Sequence, residues 1–550
     1  MSLAVYTAKG YDYLQRHPFW LFDVLFIGFF ILTVLPLARL KAKSSFPTGS
    51  GSILHILSLL LLTGFCALTV WYLDIPTFLT QVEPQVPEVA WYYAQGHPLY
   101  PGTNSVEVYD LPYGPNVYLL TALFQKILGP SLFSSKLPTV LAYDLFLIAL
   151  FLVYKKLSTT RIAILATGLA AAIVLRLDMY AVTARSDSLL CLGVAIGLWA
   201  AMSPSLVAPL ILGTAVGLCF NFKVTGFLYF LAPAAVALRN GWGKRQIATA
   251  LVCAVVSAIV PFVAFPNISA VNYLLFLKAV AGHGMSHDKM LDLLSWFAVL
   301  ALPILLAFAA FRKRDPAAAT GVLRTNRLLI VALLLEYVLL FPPASKYGAG
   351  THHLMPWAVA VVFLGVQLYA DGLQFPRATI PAAALSAWGL GVMASAFLAF
   401  EYSVWRLSEE TFHAEAVRSD IRHIIDTYQG SHTILMGVGD DANYDLTYFR
   451  PYLTFAGMPI GIDCDALMDY KRASLPVPSL SALAAMAARS SAHEQGILWV
   501  IPRTKAPFTK NTVYPPKDAL YDKNFQDAFK RDYHRIASTQ FYDLYAIPSK

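Results

Sequence analysis

The chain has 550 residues, of which 57% are hydrophobic and 13% are charged, and its formal net charge is +8. A typical soluble protein carries about 25% charged residues, whereas the mean hydropathy here is +0.56. This composition excludes a soluble enzyme, a disordered chain and a disulfide scaffold. It indicates a polytopic α-helical membrane protein.

Apolar runs of about 20 residues predict about 12 transmembrane helices. The runs at 206–220 and 224–238 are short, and a hairpin that does not fully cross is the alternative there. The predicted spans are 19–38, 53–73, 137–154, 162–178, 187–202, 206–220, 224–238, 247–265, 291–311, 328–341, 354–370 and 379–399.

Lys and Arg assign the two sides of the membrane, because cytoplasmic loops carry an excess of both. One set of loops, from Arg39 to Arg377, carries fifteen of the 25 Lys and Arg in residues 1–400, and the opposite face carries ten. The first set is therefore predicted to be cytoplasmic. The long first outer loop, 74–136, and the tail, 401–550, are then outside.

Two short amphipathic helices are predicted in the first outer loop. The first covers residues 86–95 and ends at Gly96, and the second covers residues 116–128, after Tyr113. Their aromatic residues suit helices that lie in the membrane interface.

The tail differs from the rest of the chain in its charge density. Residues 1–400 carry 25 basic and 15 acidic side chains, whereas the 150 residues of the tail carry 16 and 18. A transmembrane domain over 1–400 and a mixed α/β domain over 401–550 are therefore predicted. The expected tail elements are a helix from Ser408 to Tyr428, strands at Thr433–Val438, Gly496–Ile501 and within His534–Ile547, and a helix at Asn524–Arg531.

Several short motifs occur in a fixed order on the outer side. An acidic residue precedes a helix that ends in Gly-x-Pro-Leu-Tyr, at residues 96–100, and Tyr-x-Pro at 113–115 precedes a second helix. Three further segments follow: Arg185-Ser186-Asp187, Asn221-Phe222-Lys223-Val224-Thr225-Gly226, and Lys346-Tyr347-Gly348-Ala349-Gly350 with His353-Leu354-Met355-Pro356.

In this order and on this side, the motifs resemble those of the GT-C glycosyltransferases, which include protein O-mannosyltransferases and lipid A aminoarabinose transferases. The resemblance covers most of the chain. It implies a GT-C-like fold, a polyprenyl-phosphate sugar donor and a multi-pass protein of a bacterial cytoplasmic (inner) membrane with a periplasmic tail. Many members have an Asp-Glu pair in the first loop, whereas here Val82 precedes Glu83.

Sugar transfer from a lipid phosphate to a hydroxyl needs a carboxylate as general base within hydrogen-bond reach of the acceptor. Glu83 is the first candidate, because it lies outside, close to the membrane surface and before a rigid proline. Glu88 is the second candidate, followed by Asp74 and Asp110. The alternative for each is a solvated loop carboxylate.

The same reaction needs cations that hold the phosphate as its charge develops. Lys346 and Lys223 are the predicted phosphate ligands, and snorkelling at a span end is the alternative for both. Arg185 is expected to contact the donor or to pair with Asp187, bracing the pocket through a non-helical turn. Three further residues complete the predicted substrate-binding set: His353, Tyr113 and Tyr347.

No cofactor is expected, since Lys and Arg can handle a monophosphate leaving group; a divalent metal is possible but not required. A zinc site at His283 and His287 is disfavoured by the glycines beside His283. Asp463-Cys464-Asp465 has the spacing of a metal motif but lies in the tail without a phosphate-binding context, and chance is the favoured explanation.

The predicted partners are the sugar donor, a lipid, glycan or protein acceptor, and membrane lipids, but no nucleic acid. The alternative function is a lipid or polysaccharide transporter without transferase activity. Such a protein would depend on carboxylates within the membrane, such as Asp144 and Glu336.

Overall fold

The fold was analysed in a computed structural model. It describes residues 48–109, 113–178, 182–282, 284–372, 379–490, 496–503, 506–513 and 517–548. The predicted span 19–38 lies outside the described residues.

The membrane part is helical, and each predicted span from 53–73 to 354–370 overlaps a helix. Ala270–Ala281 is a further helix that the sequence analysis did not predict. The α-helices are α1 Thr48–Asp74, α2 Gln85–Ala94, α3 Pro115–Leu128, α4 Leu132–Leu157, α5 Thr160–Leu177, α6 Asp187–Ala201, α7 Ala208–Phe220, α8 Leu231–Arg239, α9 Lys244–Ala264, α10 Ala270–Ala281, α11 His287–Arg314, α12 Pro316–Ala344 and α13 Met355–Gly372, and 3-10 turns cover Gly226–Phe230 and Thr351–Leu354.

By length and composition, seven helices within the described ranges could cross a bilayer. Four predicted spans within the described residues have no counterpart among these seven helices: 187–202, 206–220, 224–238 and 379–399. A total of twelve crossings therefore stays a prediction. The seven are His55–Asp74, Leu132–Leu157, Thr160–Leu177, Lys244–Ala264, His287–Lys313, Pro316–Ala344 and Thr351–Leu368.

Helix α9 faces outward along almost its whole length, as expected for a helix solvated by lipid. Pro261 is the residue of this helix that is buried, whereas Val263, for example, is 74% exposed. The helix packs on α7 through small residues that let the two backbones approach closely. A Cβ atom added at Gly217 would lie 2.4 Å from the carbonyl oxygen of Ala254, so this contact requires glycine.

The two helices predicted in the first outer loop are present as α2 and α3. Helix α4 begins after Ser131, whose hydroxyl accepts from the Ser134 amide while the Ser134 hydroxyl accepts from the Ser131 amide. This reciprocal capping fixes the point at which the chain returns from the outer loop to the membrane part.

The tail forms a sheet between two helical layers. Strands β1 Thr433–Met436, β2 Ile497–Pro502, β3 His534–Ser538 and β4 Tyr542–Ala546 lie in the order β1-β2-β4-β3, and only the β1–β2 pair is parallel. Because side chains alternate between faces, Leu435 and Trp499 enter one apolar cluster and Ile434 and Leu498 enter the other. The strands at the predicted positions and the helix Lys523–Asp532 agree with the sequence analysis.

The predicted helix start at Ser408 is wrong. One helix, α14, runs without a break from Thr379 to Tyr428, and so joins the predicted span 379–399 to the first helix of the tail. No glycine or proline interrupts residues 392–428, and extending an existing helix costs less than nucleating a new one.

Beside Lys523–Asp532, the described part of the tail contains the helices α15 Pro451–Phe455, α16 Cys464–Arg472 and α17 Leu480–Ser490.

Candidate active site

A cavity of about 360 Å³ lies between the ends of the membrane helices and the tail. Six of the predicted substrate-binding residues line it: Tyr113, Arg185, Lys223, Lys346, Tyr347 and His353. The tail contributes Asp465, Met468 and Asp469 of helix α16. Segments separated widely along the sequence therefore meet at one water-accessible volume.

Asp187 lies behind the cavity and holds two of its cations. Arg185 Nε is 3.2 Å from Asp187 Oδ2, and Lys223 Nζ is 3.6 Å from Asp187 Oδ1. Asp187 begins helix α6, where the helix dipole favours a negative charge. Burial lowers the pKa of Lys223, and the Asp187 carboxylate partly opposes this effect. The pair expected between Arg185 and Asp187 is thus present and extends to Lys223.

Histidines complete this side of the cavity. His352 Nδ1 lies 3.9 Å from Asp178 Oδ2, which is also 4.0 Å from an Arg185 nitrogen. His353 is buried, and its carbonyl oxygen accepts from the Tyr229 hydroxyl at 2.9 Å. Its ring Nδ1 has no hydrogen-bond partner within the part of the chain that the structure describes.

Lys346 and Tyr347 lie on a short paired segment after helix α12. Lys346 pairs with Met285 in an antiparallel bridge, and the Tyr347 amide donates to the Gly284 carbonyl at 3.1 Å. Lys346 Nζ donates to the Ala281 carbonyl at 2.8 Å. Gly348 follows with a φ of +81°, a conformation that favours glycine. This turn presents both side chains to the cavity.

Glu83, the first candidate base, is fully buried beside the cavity and does not line it, although Gln81 and Val82 do. Oε1 accepts from the amides of Leu79 and Thr80 at 3.0 and 2.8 Å. Oε2 accepts from the Tyr72 hydroxyl and, at 3.2 Å, from the Ala184 amide. The carboxylate therefore ties the end of helix α1 to the segment that carries Arg185.

Lys136 is a neighbour of this network that the sequence analysis missed. It is fully buried, and its ammonium donates to the carbonyls of Tyr72 and Ile75 at 3.0 and 2.7 Å. It also lies 4.3 Å from the centre of the Tyr72 ring. In the sequence it stands at the start of an apolar span, where a lysine is normally interpreted as snorkelling.

Glu88, the second candidate, lies at the contact between the first outer loop and the tail. Arg450 donates to Glu88 Oε1 through Nε and to Asp463 Oδ2 through a terminal nitrogen, both at 2.9 Å. Burial raises the pKa of Glu88 to about 7, although Arg450 opposes this. Glu88 is not among the residues that line the cavity.

The Asp463–Asp465 segment has a structural part in the same contact. Asp463 caps helix α16 and pairs with Arg450, while Asp465 accepts from the Tyr444 hydroxyl at 3.0 Å and from Gln85 Nε2 at 3.1 Å. The sequence analysis did not single out Arg450 or Asp469, and it did not foresee the structural contacts of Asp465.

Across the described ranges, no three His, Cys, Asp or Glu side chains form a group that could hold a metal ion. His283 and Asp110 lie outside the described residues, so the disfavoured zinc pair of His283 and His287 and the Asp110 alternative are not described.

Comparisons with known proteins agree with this architecture. Residues 112–270 match the family described as dolichyl-phosphate-mannose-protein mannosyltransferase. No curated protein matches the chain by sequence. Among solved structures, ArnT from Cupriavidus metallidurans bound to undecaprenyl phosphate is similar over 91% of this chain and 98% of its own, with 14% identity and a TM-score of 0.52.

ArnT from the same organism in the apo state is similar over 89% of this chain and 97% of its own, with 14% identity and a TM-score of 0.51. At this identity the likeness concerns the fold. The resemblance to the GT-C glycosyltransferases is thus confirmed: the chain is a mostly helical, multi-pass membrane protein with a GT-C fold.

Proposed function

We propose that this protein is a glycosyltransferase that moves a sugar from a polyprenyl-phosphate donor to an acceptor hydroxyl at the outer face of the cytoplasmic membrane. The observation that carries the proposal is the meeting of Arg185, Lys223 and Lys346 in one cavity at the ends of membrane helices. The GT-C fold supports it, since ArnT with that fold was solved with undecaprenyl phosphate bound.

The three cations suit the phosphate of such a donor. Two of them pair with Asp187 at distances longer than a close ion pair, 3.2 Å for Arg185 and 3.6 Å for Lys223, and Lys346 donates to a backbone carbonyl rather than to a carboxylate. A phosphate can therefore take up charge that Asp187 leaves unmatched, and negative charge that develops on it during bond cleavage is stabilised in place. Tyr113, Tyr347 and His353 supply polar atoms around the same volume.

Glu83 is the proposed general base. To accept a proton from the acceptor hydroxyl, one of its oxygens must exchange the Tyr72 hydroxyl for the acceptor, and the adjacent residue Val82 lines the cavity from which the acceptor would approach. Glu88 is the second candidate, and its carboxylate would first have to leave Arg450. The carboxylate takes the hydroxyl proton, the acceptor oxygen bonds to the anomeric carbon, and the bond to the lipid phosphate breaks with inversion.

The proposal extends to the surroundings of the reaction. The lipid chain of the donor lies among the membrane helices, the acceptor is a lipid, glycan or protein, and the tail lies in the periplasm. No cofactor is invoked, because Arg and Lys carry out the charge stabilisation that a metal would otherwise supply.

The proposal is tested by measuring, in membranes, the transfer of a labelled sugar from a donor in which that sugar is linked to undecaprenyl phosphate. Glu83→Gln is expected to reduce the rate by about 10²- to 10⁴-fold, the usual contribution of a general base. Glu88→Gln is the matched comparison, because it changes the second candidate in the same loop. Equal rates for wild type and Glu83→Gln would remove the assigned base, and lipid movement without any transfer would favour the transporter.

A further inference from the structure

The Tyr347 side chain, which lines the cavity beside Lys346, is held by two different parts of the protein. The backbone of its turn is fixed to the segment before helix α11: the Ser286 amide donates to the Ser345 carbonyl at 2.8 Å, and the Tyr347 amide donates to the Gly284 carbonyl at 3.1 Å. These bonds determine where the side chain begins. They do not determine its torsions, so the orientation of the ring depends on what the ring contacts.

Gly284 and Arg472 both lie against the ring of Tyr347. Gly284 lies beside one edge, since a Cβ atom added there would be 3.6 Å from ring atom Cε2 and 3.7 Å from Cδ2. Arg472 lies over the ring, with its guanidinium carbon Cζ 5.5 Å from the ring centre. A cation within about 6 Å of the centre is attracted by the negative face of an aromatic ring. Arg472 therefore favours one orientation of the ring.

Arg472 belongs to the tail and not to the membrane part. It is the last residue of helix α16, where the helix dipole favours a positive charge. The other end of this helix is fixed to the first outer loop, because the Asp463 amide donates to the Val108 carbonyl at 2.7 Å and Gln85 Nε2 donates to Asp465 at 3.1 Å. The guanidinium is thus carried by a helix that is anchored independently of the turn that it contacts.

The place of Arg472 relative to the cavity indicates how it can act on a ligand. It is not among the described residues that line the cavity, whereas Tyr347 and Lys346 are. Its guanidinium can therefore influence a ligand through the ring that it orients. Because Tyr347 directly follows Lys346, a cation assigned to the donor phosphate, the ring borders the place where that phosphate would bind. A ring without a fixed orientation would have to be ordered at each binding event, at a cost in affinity.

We propose that Arg472 of the tail positions Tyr347 for donor binding, so that the tail completes the donor site. This inference rests on the proposed function, which assigns the donor phosphate to the cations of the cavity. Arg472 is a positioning residue: it orders the ring before the donor arrives, and the ordered ring then contacts the phosphate headgroup. Without this contact the donor binds less tightly, although the three cations are still present.

The test measures binding of undecaprenyl phosphate to the full-length protein in lipid nanodiscs, by displacement of a fluorescent undecaprenyl phosphate. Arg472→Gln, which removes the cation, is expected to bind about tenfold more weakly than the wild type. Arg472→Lys keeps a cation over the ring and is expected to lose less than about threefold. Arg489→Gln is the matched control and retains the wild-type affinity, because Arg489 is an exposed residue of helix α17 away from the cavity.

A double-mutant cycle shows whether Arg472 acts through the ring. Tyr347→Leu removes the ring, so adding Arg472→Gln to this variant is expected to weaken binding by less than about twofold. An arginine that only stabilised the tail would cause the same loss of affinity with or without the ring.

Wild-type affinity in Arg472→Gln overturns the inference. So does an equal loss in Arg472→Gln and Arg472→Lys, or an additive loss in the double variant. Failure of the proposed function gives a different result, because the wild-type protein itself would then not bind undecaprenyl phosphate.

Discussion

Two clusters of buried charge, one at the contact of the first outer loop with the tail and one at the cavity, are built differently. At the contact with the tail, two carboxylates surround one guanidinium, with both contacts of Arg450 at 2.9 Å. At the cavity, two cations share Asp187 at 3.2 and 3.6 Å. The first cluster has no unmatched positive charge and joins two parts of the chain. The second, with Lys346, has three cations against Asp187 and Asp178 and so retains positive charge for an anion.

The largest expected effect is on stability and concerns the first cluster. Arg450→Ala leaves Glu88 and Asp463 buried without their partner, which is expected to lower the free energy of unfolding by about 3–5 kcal/mol. Limited proteolysis of the tail and thermal unfolding in detergent measure it. Arg418→Ala is the control, because its pair with Glu415 is exposed. A stability equal to that of the wild type would contradict a joining role for Arg450.

A substitution in the second cluster is expected to change the rate of sugar transfer rather than the stability. Lys223→Met removes one phosphate ligand and leaves Asp187 paired with Arg185, so transfer falls about 10²-fold while the unfolding temperature stays close to that of the wild type. Lys278→Met, at an exposed lysine of helix α10, is the matched control. Loss of stability without a specific loss of transfer would show that the two clusters do not differ as described.

A smaller effect is expected for Lys136, which acts on Glu83 through Tyr72. Lys136→Met removes the hydrogen bonds to the Tyr72 and Ile75 carbonyls, so the Glu83 carboxylate is less well oriented and the transfer rate falls about tenfold. Transfer rates at saturating donor and acceptor concentrations measure this decrease. Lys126→Met is the control, because Lys126 is exposed. An unchanged rate would separate Lys136 from catalysis.

The smallest effect is a pH dependence at the contact with the tail. The pKa of Glu88 is raised from 4.5 to about 7 in the folded protein, so the folded state binds the extra proton. The stabilisation that Glu88 gives the folded state is fully present below pH 4.5 and is lost as the pH rises through 7. Between pH 6 and pH 8 the free energy of unfolding is expected to fall by about 1 kcal/mol from this group.

Thermal unfolding of Glu88→Gln isolates this contribution from those of Asp463 and Asp465. The variant is expected to show the smaller decrease in unfolding temperature between pH 6 and pH 8. A steeper decrease than in the wild type would contradict the direction of the shift.

The sequence predicted the helices of the membrane part and the cationic residues of the cavity, because both leave local patterns. Apolar runs mark the helices, and short motifs mark Arg185, Lys223 and Lys346. Six predicted residues therefore line one cavity. The helix start at Ser408 was wrong because a local capping signal does not decide whether the preceding helix continues.

The residues that were missed depend on contacts between distant parts of the chain. Glu88 and Arg450 are 362 positions apart, and Gln85 and Asp465 are 380 apart. No local period or spacing connects such pairs. The structural parts of Asp463 and Asp465 were missed because their partners, Arg450, Tyr444 and Gln85, could not be assigned from the sequence.

The unbroken helix α14 gives the tail a stiff mechanical link to the membrane. Its 50 residues correspond to about 75 Å at 1.5 Å per residue, more than twice the roughly 30 Å thickness of a bilayer's hydrocarbon layer. A helix adjusts to bilayer thickness by tilting. About 45 Å of the helix would then extend beyond the hydrocarbon layer, and a tilt of about 10° would move its end by about 8 Å. A change in lipid composition would therefore shift the position of the tail.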